Sequence, residues 1–328
     1  MTLLLKLTTK TEVKVMIDKI TEKLLNLEKA YILVHTSPDG DALGSSLALA
    51  EFLNSLGKTT NVVLEKPIHS SYAFLEGKVL MPDEAKENRT VIVLDCGDLP
   101  RIGTTMPVYE NALETVVIDH HATNPGYGDI CLVKGGMSST GEIVFDIIKN
   151  TGKDYNSRVA FLLYTAIISD TGGLRYSSTT PDTLRAVAEL MGKGIDIAYI
   201  NRMLFENNPI RTIKLKSLVY STLEIKCEGK AALVKLTEDM LEKTGADEGD
   251  SEGFVNIPRS IEGVEVGAFF KEREGEIRVS LRSNAYADVS LVAKAFGGGG
   301  HIHAGGCTIK GTMEDAIKQV FEKIEGIL

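Results

Sequence analysis

Four apolar runs in the first half of the chain end on aspartate or histidine, and they constrain the fold more than any other feature. They read YILVHTSPDGD from Tyr31, TVIVLDCGD from Thr90, TVVIDHH from Thr115 and YTAIISDTGG from Tyr164. Short runs rich in β-branched residues, alternating with longer segments of helical spacing, are the pattern of a mostly parallel sheet covered by helices. Strands are expected over 31–35, 60–64, 90–95, 115–119 and 130–133. ALGSSLALAEFLNSLGK reads as a helix between the first two, with Gly57 as its stop. Further helices are expected over 139–150, 157–169 and 181–192.

In an open parallel sheet the carboxyl ends of the strands lie along one edge, where a ligand crevice forms. His35, Asp39, Asp41, Asp95, Asp119, His120 and His121 can therefore converge although they are far apart in sequence, and Asp170 can join them from a helix that packs back on the sheet. Carboxylates gathered so closely resist ionising together. Divalent cations remove that conflict, and an oxygen-rich set with one or two imidazoles suits manganese or a similar ion. Two ions about 3.5–4 Å apart can share a carboxylate, activate water and stabilise phosphoryl oxygens.

Each fragment also has a plainer reading. Pro38, Asp39 and Gly40 are favoured turn residues, Asp98 fits a loop or helix cap, and an aspartate with two histidines can simply end a strand. The joint delivery of ligand-type residues by four segments to one edge favours the metal site.

The rest of the chain is consistent with an ordinary globular protein. Its 328 residues suggest about two domains at roughly 150 residues each, and 43% hydrophobic with 25% charged residues suffices for sizeable cores. The stretch 196–219 is helical and charged and is expected to join the domains, giving boundaries of 1–192, 193–219 and 220–328. The second domain reads as mixed, with strands over 230–236, 264–271 and 277–282, a helix over 288–296, and the glycine cluster of AFGGGGH.

A net charge of -9 argues against a broad basic track for long nucleic acid and leaves a small anionic substrate open. Cys96, Cys131, Cys227 and Cys307 are scattered and form no C-x-x-C pair. No apolar run approaches the ~20 residues of a membrane span. The opening MTLLLKLTTKTEVKVMIDKI lacks the layout of a secretory leader, so a cytoplasmic location is expected. The first strand opens into HTSPDGD and not a G-x-G-x-x-G turn, which disfavours a nicotinamide dehydrogenase.

With these residues in place, the sequence resembles the DHH family of phosphoesterases, named for the tripeptide found here as Asp119, His120 and His121. HTSPDGDALGSS, LDCGD and SDTGG match the family's other N-terminal motifs in order, and VSLRSNAYADVSLVAKAFGGGGHIHAGG resembles the glycine-rich signature of its associated C-terminal domain. The resemblance spans essentially the whole chain. It implies an α/β fold, with a mostly parallel sheet in an N-terminal catalytic domain, a smaller α+β C-terminal substrate-binding domain and an active site in the cleft between them.

The resemblance further implies two divalent metal ions, most simply Mn2+. His35 and Asp39 would bind one, Asp41, His120 and Asp170 the other, and Asp95 would bridge them. Asp119 would orient the ligands, and His121 would face the substrate phosphate, assisting charge neutralisation or leaving-group protonation. Arg282, with its planar donor fork, and Ser283 would hold phosphate. The backbone of Gly298, Gly299 and Gly300 would approach an anion closely, with His301 adding a donor. Taken alone, a glycine cluster after a helix reads as a C-terminal cap and turn. His303 is an extra imidazole here, and its plain reading is a surface or turn residue.

Size and the R-S and GGGGH arrangement look most like the nanoRNase and pAp-phosphatase branch. That implies hydrolysis of very short oligonucleotides or dinucleotides to mononucleotides, with pAp or cyclic di-AMP as further substrates. Long nucleic acid and membrane are not expected partners, and the family resemblance suggests a homodimer. The alternatives are a manganese-dependent inorganic pyrophosphatase, which shares the N-terminal ligand pattern, and a nucleotide-binding regulator without turnover.

Overall fold

The computed structural model describes residues 10–273 and 275–328. The first nine residues of the segment read above for a leader lie outside the described residues. The chain divides between Asn207 and Asn208 into two compact units.

The first unit is built on six parallel strands: β1 (Lys29–Leu33), β2 (Thr59–Val63), β3 (Val79–Leu80), β4 (Thr90–Leu94), β5 (Glu114–Asp119) and β6 (Ile130–Val133). Their order is β3-β2-β1-β4-β5-β6. Five of them lie where the apolar runs place them, and β3 is too short to leave a pattern. The order reverses between β1 and β4, so the crevice of this sheet opens at the carboxyl ends of those two strands. His35 lies two residues past the end of β1, and Asp95 one past the end of β4.

Both faces of the sheet are covered, which is why β4 is buried at every position. One face, with Ile32, Ile92 and Ile118, packs under α1 (Lys10–Asn26), α2 (Gly40–Ser55), α4 (Thr140–Asn150) and α5 (Ser157–Asp170). The other, with Tyr31, Leu33, Val91 and Val93, packs under Ile102 and under Val108 of α3 (Met106–Glu110). Two further helices, α6 (Pro181–Met191) and α7 (Ile197–Phe205), extend the larger core through Leu190 and Ile200.

Two glycines set how closely the helices approach. A Cβ on Gly44 of α2 would lie 2.7 Å from the carbonyl oxygen of Leu162, and one on Gly141 of α4 would lie 2.5 Å from the Cβ of Ala166, both on α5. This close packing brings the first turns of α2 and α4 beside the C-terminal end of α5. Asp41, Thr140 and Asp170 meet there.

The second unit is a mixed sheet of order β11-β12-β10-β9-β8-β7. Its strands are β7 (Glu224–Lys226), β8 (Ala231–Leu236), β9 (Val266–Arg273), β10 (Glu276–Ser283), β11 (Gly299–His301) and β12 (Ala304–Lys310). β8 and β9 run parallel and the other pairs antiparallel. One face packs on α11 (Val289–Ala295) and α12 (Met313–Ile324) through Val279, Leu281, Val292 and Val320. The other packs on α8 (Ile210–Tyr220), α9 (Glu238–Thr244) and α10 (Asn256–Arg259) through Leu215, Val234, Ile257 and Phe269. Among the described residues no helix is long and apolar enough to cross a membrane.

Candidate metal centre

Asp39 ends the loop after β1 in extended backbone and caps α2, its Oδ1 accepting from the amides of Asp41 and Ala42 at 3.1 Å each. One oxygen of Asp39 is thus left for other partners. Asp41, inside the first turn, points its carboxylate at the start of α4, where Oδ2 accepts from the Thr140 amide at 2.7 Å and Oδ1 from the Gly141 amide at 2.8 Å. Asp95 leaves β4 with φ of 53°, in the left-handed region that a non-glycine residue rarely occupies. Such strain costs about 1–3 kcal/mol and gathers at functional sites. Here Asp95 is held by its amide bond to the Ile118 carbonyl at 3.2 Å and by the hydroxyl of Thr140, which donates to Oδ1 at 3.0 Å.

The structure brings together all six residues expected to hold metal. His35, Asp39 and Asp95 offer donor atoms within 4.8 Å of one another, and so do Asp41, His120 and Asp170. His120 Nε2 lies 3.6 Å from Asp95, 3.7 Å from Asp170 and 4.0 Å from Asp41, while His35 Nε2 lies 4.0 Å from Asp95. These gaps are too long for hydrogen bonds. Donors that each sit about 2.0–2.2 Å from a shared cation are separated by roughly 3–4 Å, so the spacing fits ligands around ions.

Electrostatics agree. Burial, then repulsion from Asp95, Asp170 and Asp39, holds the carboxyl of Asp41 well above its ordinary range. Asp170 is pushed up to about 6, first by burial and then by Asp39 and Asp95, against the pull of His120. Asp39 goes the other way: burial opposes its ionisation, but His35, the Ala42 amide and His121 hold it below the usual value. Asp41 and Asp170, which resist ionisation in this company, are relieved by keeping a proton or by bound cations.

Asp119 is fully buried. Its Oδ1 accepts from the backbone amide of His121 at 3.2 Å and lies 2.7 Å from Nδ1 of that ring, and its Oδ2 accepts from Asn124 at 2.7 Å. The imidazole it orients is therefore that of His121. The ligand-type His120 instead has Nδ1 3.3 Å from the carbonyl of Met137. Burial disfavours the imidazolium of His121, but Asp119 and then Asp95 outweigh it and raise the pKa to about 9.

In the second unit Arg282 pairs with Ala304 of β12, which on its other side pairs with His301 of β11. Paired residues across a sheet share a face, so Arg282 and His301 flank a methyl group on one surface. Two residues expected at a phosphate have local partners in this structure. Ser283 is buried, and its hydroxyl donates to the Ala287 carbonyl at 2.6 Å, leaving no proton for an anion. Nδ1 of His303 lies 2.9 Å from that oxygen, so His303, read as a surface or turn residue, sits in the turn between β11 and β12 and braces the loop. The amide of Gly298 donates to the Ala293 carbonyl at 2.9 Å, closing the C-terminal end of α11. Its missing side chain is explained by the Gly306 carbonyl, 2.1 Å from where a Cβ would sit. Gly299 and Gly300 form strand pairs with Gly306 and Gly305.

Sequence reasoning missed Thr140, Gly141, Asn124 and Arg101. Arg101 is exposed, its backbone carbonyl accepts from the Thr36 amide at 2.7 Å, and its charge reaches Asp39 and His121. The capping pattern of Ser139 and Glu142 marks the start of α4. Nothing in it points to Asp41, about 100 residues earlier.

Comparison with known proteins agrees with this geometry. The family model described as "DHH family, N-terminal domain" matches residues 29–167, and that of the DHHA1 domain matches residues 228–328. A bifunctional oligoribonuclease and PAP phosphatase NrnA from Thermus thermophilus is 34% identical over 90% of this chain and 88% of its own length. A probable bifunctional oligoribonuclease and PAP phosphatase NrnA from Streptococcus mutans is 31% identical over 94% of this chain and 98% of its own. The crystal structure of an exopolyphosphatase-related protein from Bacteroides fragilis superposes with a TM-score of 0.85 at 33% identity, covering 95% of this chain and 96% of that one.

Proposed function

The chain belongs to the DHH family, with a DHHA1 domain after the first unit, and we propose that this metal-dependent phosphoesterase cleaves very short oligonucleotides or dinucleotides to mononucleotides and dephosphorylates pAp. The observation that carries the reading is the convergence of His35, Asp39, Asp41, Asp95, His120 and Asp170 at the β1/β4 crevice. The names of the similar proteins support the substrate class.

In this reading His35 and Asp39 hold one ion, Asp41, His120 and Asp170 hold the second, and Asp95 serves both. The ions are most simply Mn2+. When bound, such ions supply the positive charge that acidifies water and offsets charge on phosphoryl oxygens. Asp95 contributes a fixed carboxylate whose strained backbone leaves it little freedom to swing away. His121, charged at neutral pH through Asp119, keeps its Nδ1 proton on that carboxylate, 2.7 Å away, and in this reading its Nε2 proton is the one offered to the substrate. That charge neutralises a phosphoryl oxygen or protonates the leaving group. Arg282, His301 and the backbone of Gly299 and Gly300 bind the substrate's other phosphate, and a short substrate agrees with the net charge of -9. A homodimer and a cytoplasmic location belong to the same reading, checked by light scattering and by cell fractionation.

The test is hydrolysis of linear diadenylate, pAp, cyclic di-AMP and pyrophosphate by the purified protein, with manganese and without metal. Release of AMP from diadenylate and pAp, dependent on metal, is the expected result. Turnover of pyrophosphate alone would replace the reading with a pyrophosphatase, and bound nucleotide without turnover would replace it with a regulator.

A further inference from the structure

We infer that Thr140 is a positioning residue that ties the carboxylates of both ion sites to one helix terminus, an inference that rests on the metal reading above. Its side chain is completely buried. The hydroxyl donates to Asp95 Oδ1 at 3.0 Å, the carboxylate assigned to both ions, while its backbone amide donates to Asp41 Oδ2 at 2.7 Å. The Gly141 amide completes the hold on Asp41 at 2.8 Å. One residue thus holds two carboxylates that arrive from different elements, Asp41 from the first turn of α2 and Asp95 from the end of β4.

The support behind Thr140 is rigid. Ser139 caps α4 through the Glu142 amide at 3.0 Å. The buried Glu142 carboxylate accepts from the amide and hydroxyl of Ser138 and, at 2.9 Å, from the hydroxyl of Thr183. Gly141 seats α4 against Ala166 on α5, the helix that ends in Asp170. A carboxylate oxygen accepts more than one bond, so Asp95 Oδ1 keeps a lone pair for an ion while the hydroxyl fixes its rotation. Loss of a side chain that supports a metal ligand in this way typically costs about 10- to 100-fold in metal affinity.

Thr140→Val keeps the shape and the amide and removes only the hydroxyl. Thr140→Ser keeps the donor. Manganese binding to the purified protein by calorimetry, together with the electron paramagnetic resonance signal of an exchange-coupled manganese pair, separates the two. In Thr140→Val the weaker ion is expected to bind about tenfold or more less tightly, the range of a lost hydrogen bond to a charged group, and the coupled signal to fade. In Thr140→Ser both stay close to the parent. If Thr140→Val does not melt cooperatively, Thr140→Ala replaces it under the same criteria. Parent-like affinity and coupling in the hydroxyl-free variant would overturn the role of Thr140 alone. A parent protein that does not take up two ions would overturn the metal reading and this inference with it.

Discussion

The Oδ1 atom of Asp119 lies 2.7 Å from Nδ1 of His121, two residues further on, and the pair is locked in place by Asn124 on the other carboxylate oxygen. The bond fixes the proton on Nδ1, and burial of the pair makes it strong. With its pKa raised from 6.5 to about 9, His121 carries a charge at neutral pH. A folded-state pKa above the unfolded one contributes stability below pH 6.5 and loses that contribution as pH rises through about 9. In metal-free protein we therefore expect unfolding free energy to fall between these limits, and Asp119→Asn to flatten the fall and lower the midpoint of His121 in an NMR titration. An unchanged midpoint would show that Asp119 does not set the charge.

Asp41 and Asp170 produce a second, separate pH window. Both carboxyls are raised above their ordinary 3.8, Asp170 to about 6, so their contribution is present below pH 3.8 and lost as pH rises through the folded values. Metal-free protein should lose stability between about pH 4 and 6 from Asp170, with Asp41 adding to the loss as pH rises. Added manganese should raise the melting temperature by more at pH 7 than at pH 4, because only the ionised cluster attracts it. Equal stabilisation at the two pH values would remove the cluster as the binding site.

Asp95 and Arg282 should fail in different ways. Asp95→Ala removes a carboxylate assigned to both ions and should lower kcat by a factor of about a thousand or more, with loss of bound metal measured by elemental analysis. Arg282→Ala removes a donor fork for phosphate, a charge-assisted contact worth about 1.5–3 kcal/mol. It should raise KM about ten- to hundredfold with metal content unchanged. Retained turnover in the Asp95 variant would sink its bridging assignment, and a change confined to kcat in the Arg282 variant would sink its binding role.

What was legible in the sequence follows from the range of each interaction. The central strands of the first sheet are mostly buried apolar runs, and the aspartates and histidines at their ends are visible as interruptions of those runs, so fold and metal-type residues could be read together. The local partners of Ser283 and Gly298 were not legible, because residue type alone does not reveal where a hydroxyl or an amide points. Their bonds to Ala287 and Ala293 are local, yet they depend on how the hairpin of β11 and β12 seats on α11. The hold of Thr140 and Gly141 on Asp41 spans about 100 residues and leaves no pattern in either segment. The turn position of His303 was legible, but its contact with Ser283, 20 residues away on strand β10, was not.

Gly141 gives the most demanding test of how packing serves the site. A Cβ there would sit 2.5 Å from the Cβ of Ala166 and 3.2 Å from Asp41 Oδ1, so Gly141→Ala forces α4 away from α5 or strains both. Overpacking of this kind costs about 1–3 kcal/mol, measurable by urea unfolding of metal-free protein. Because the same movement draws the Thr140 and Gly141 amides off Asp41, manganese affinity should fall with stability. Ala166→Gly removes the atom that the new methyl group meets, so the double variant should recover much of both losses, and the coupling between the two positions should exceed about 0.5 kcal/mol. Gly326→Ala, where a Cβ meets nothing within 4 Å, serves as the neutral control. Additive losses in the double variant would mean that α4 and α5 do not meet at this contact, and that the placement of Asp41 beside Asp170 has another cause.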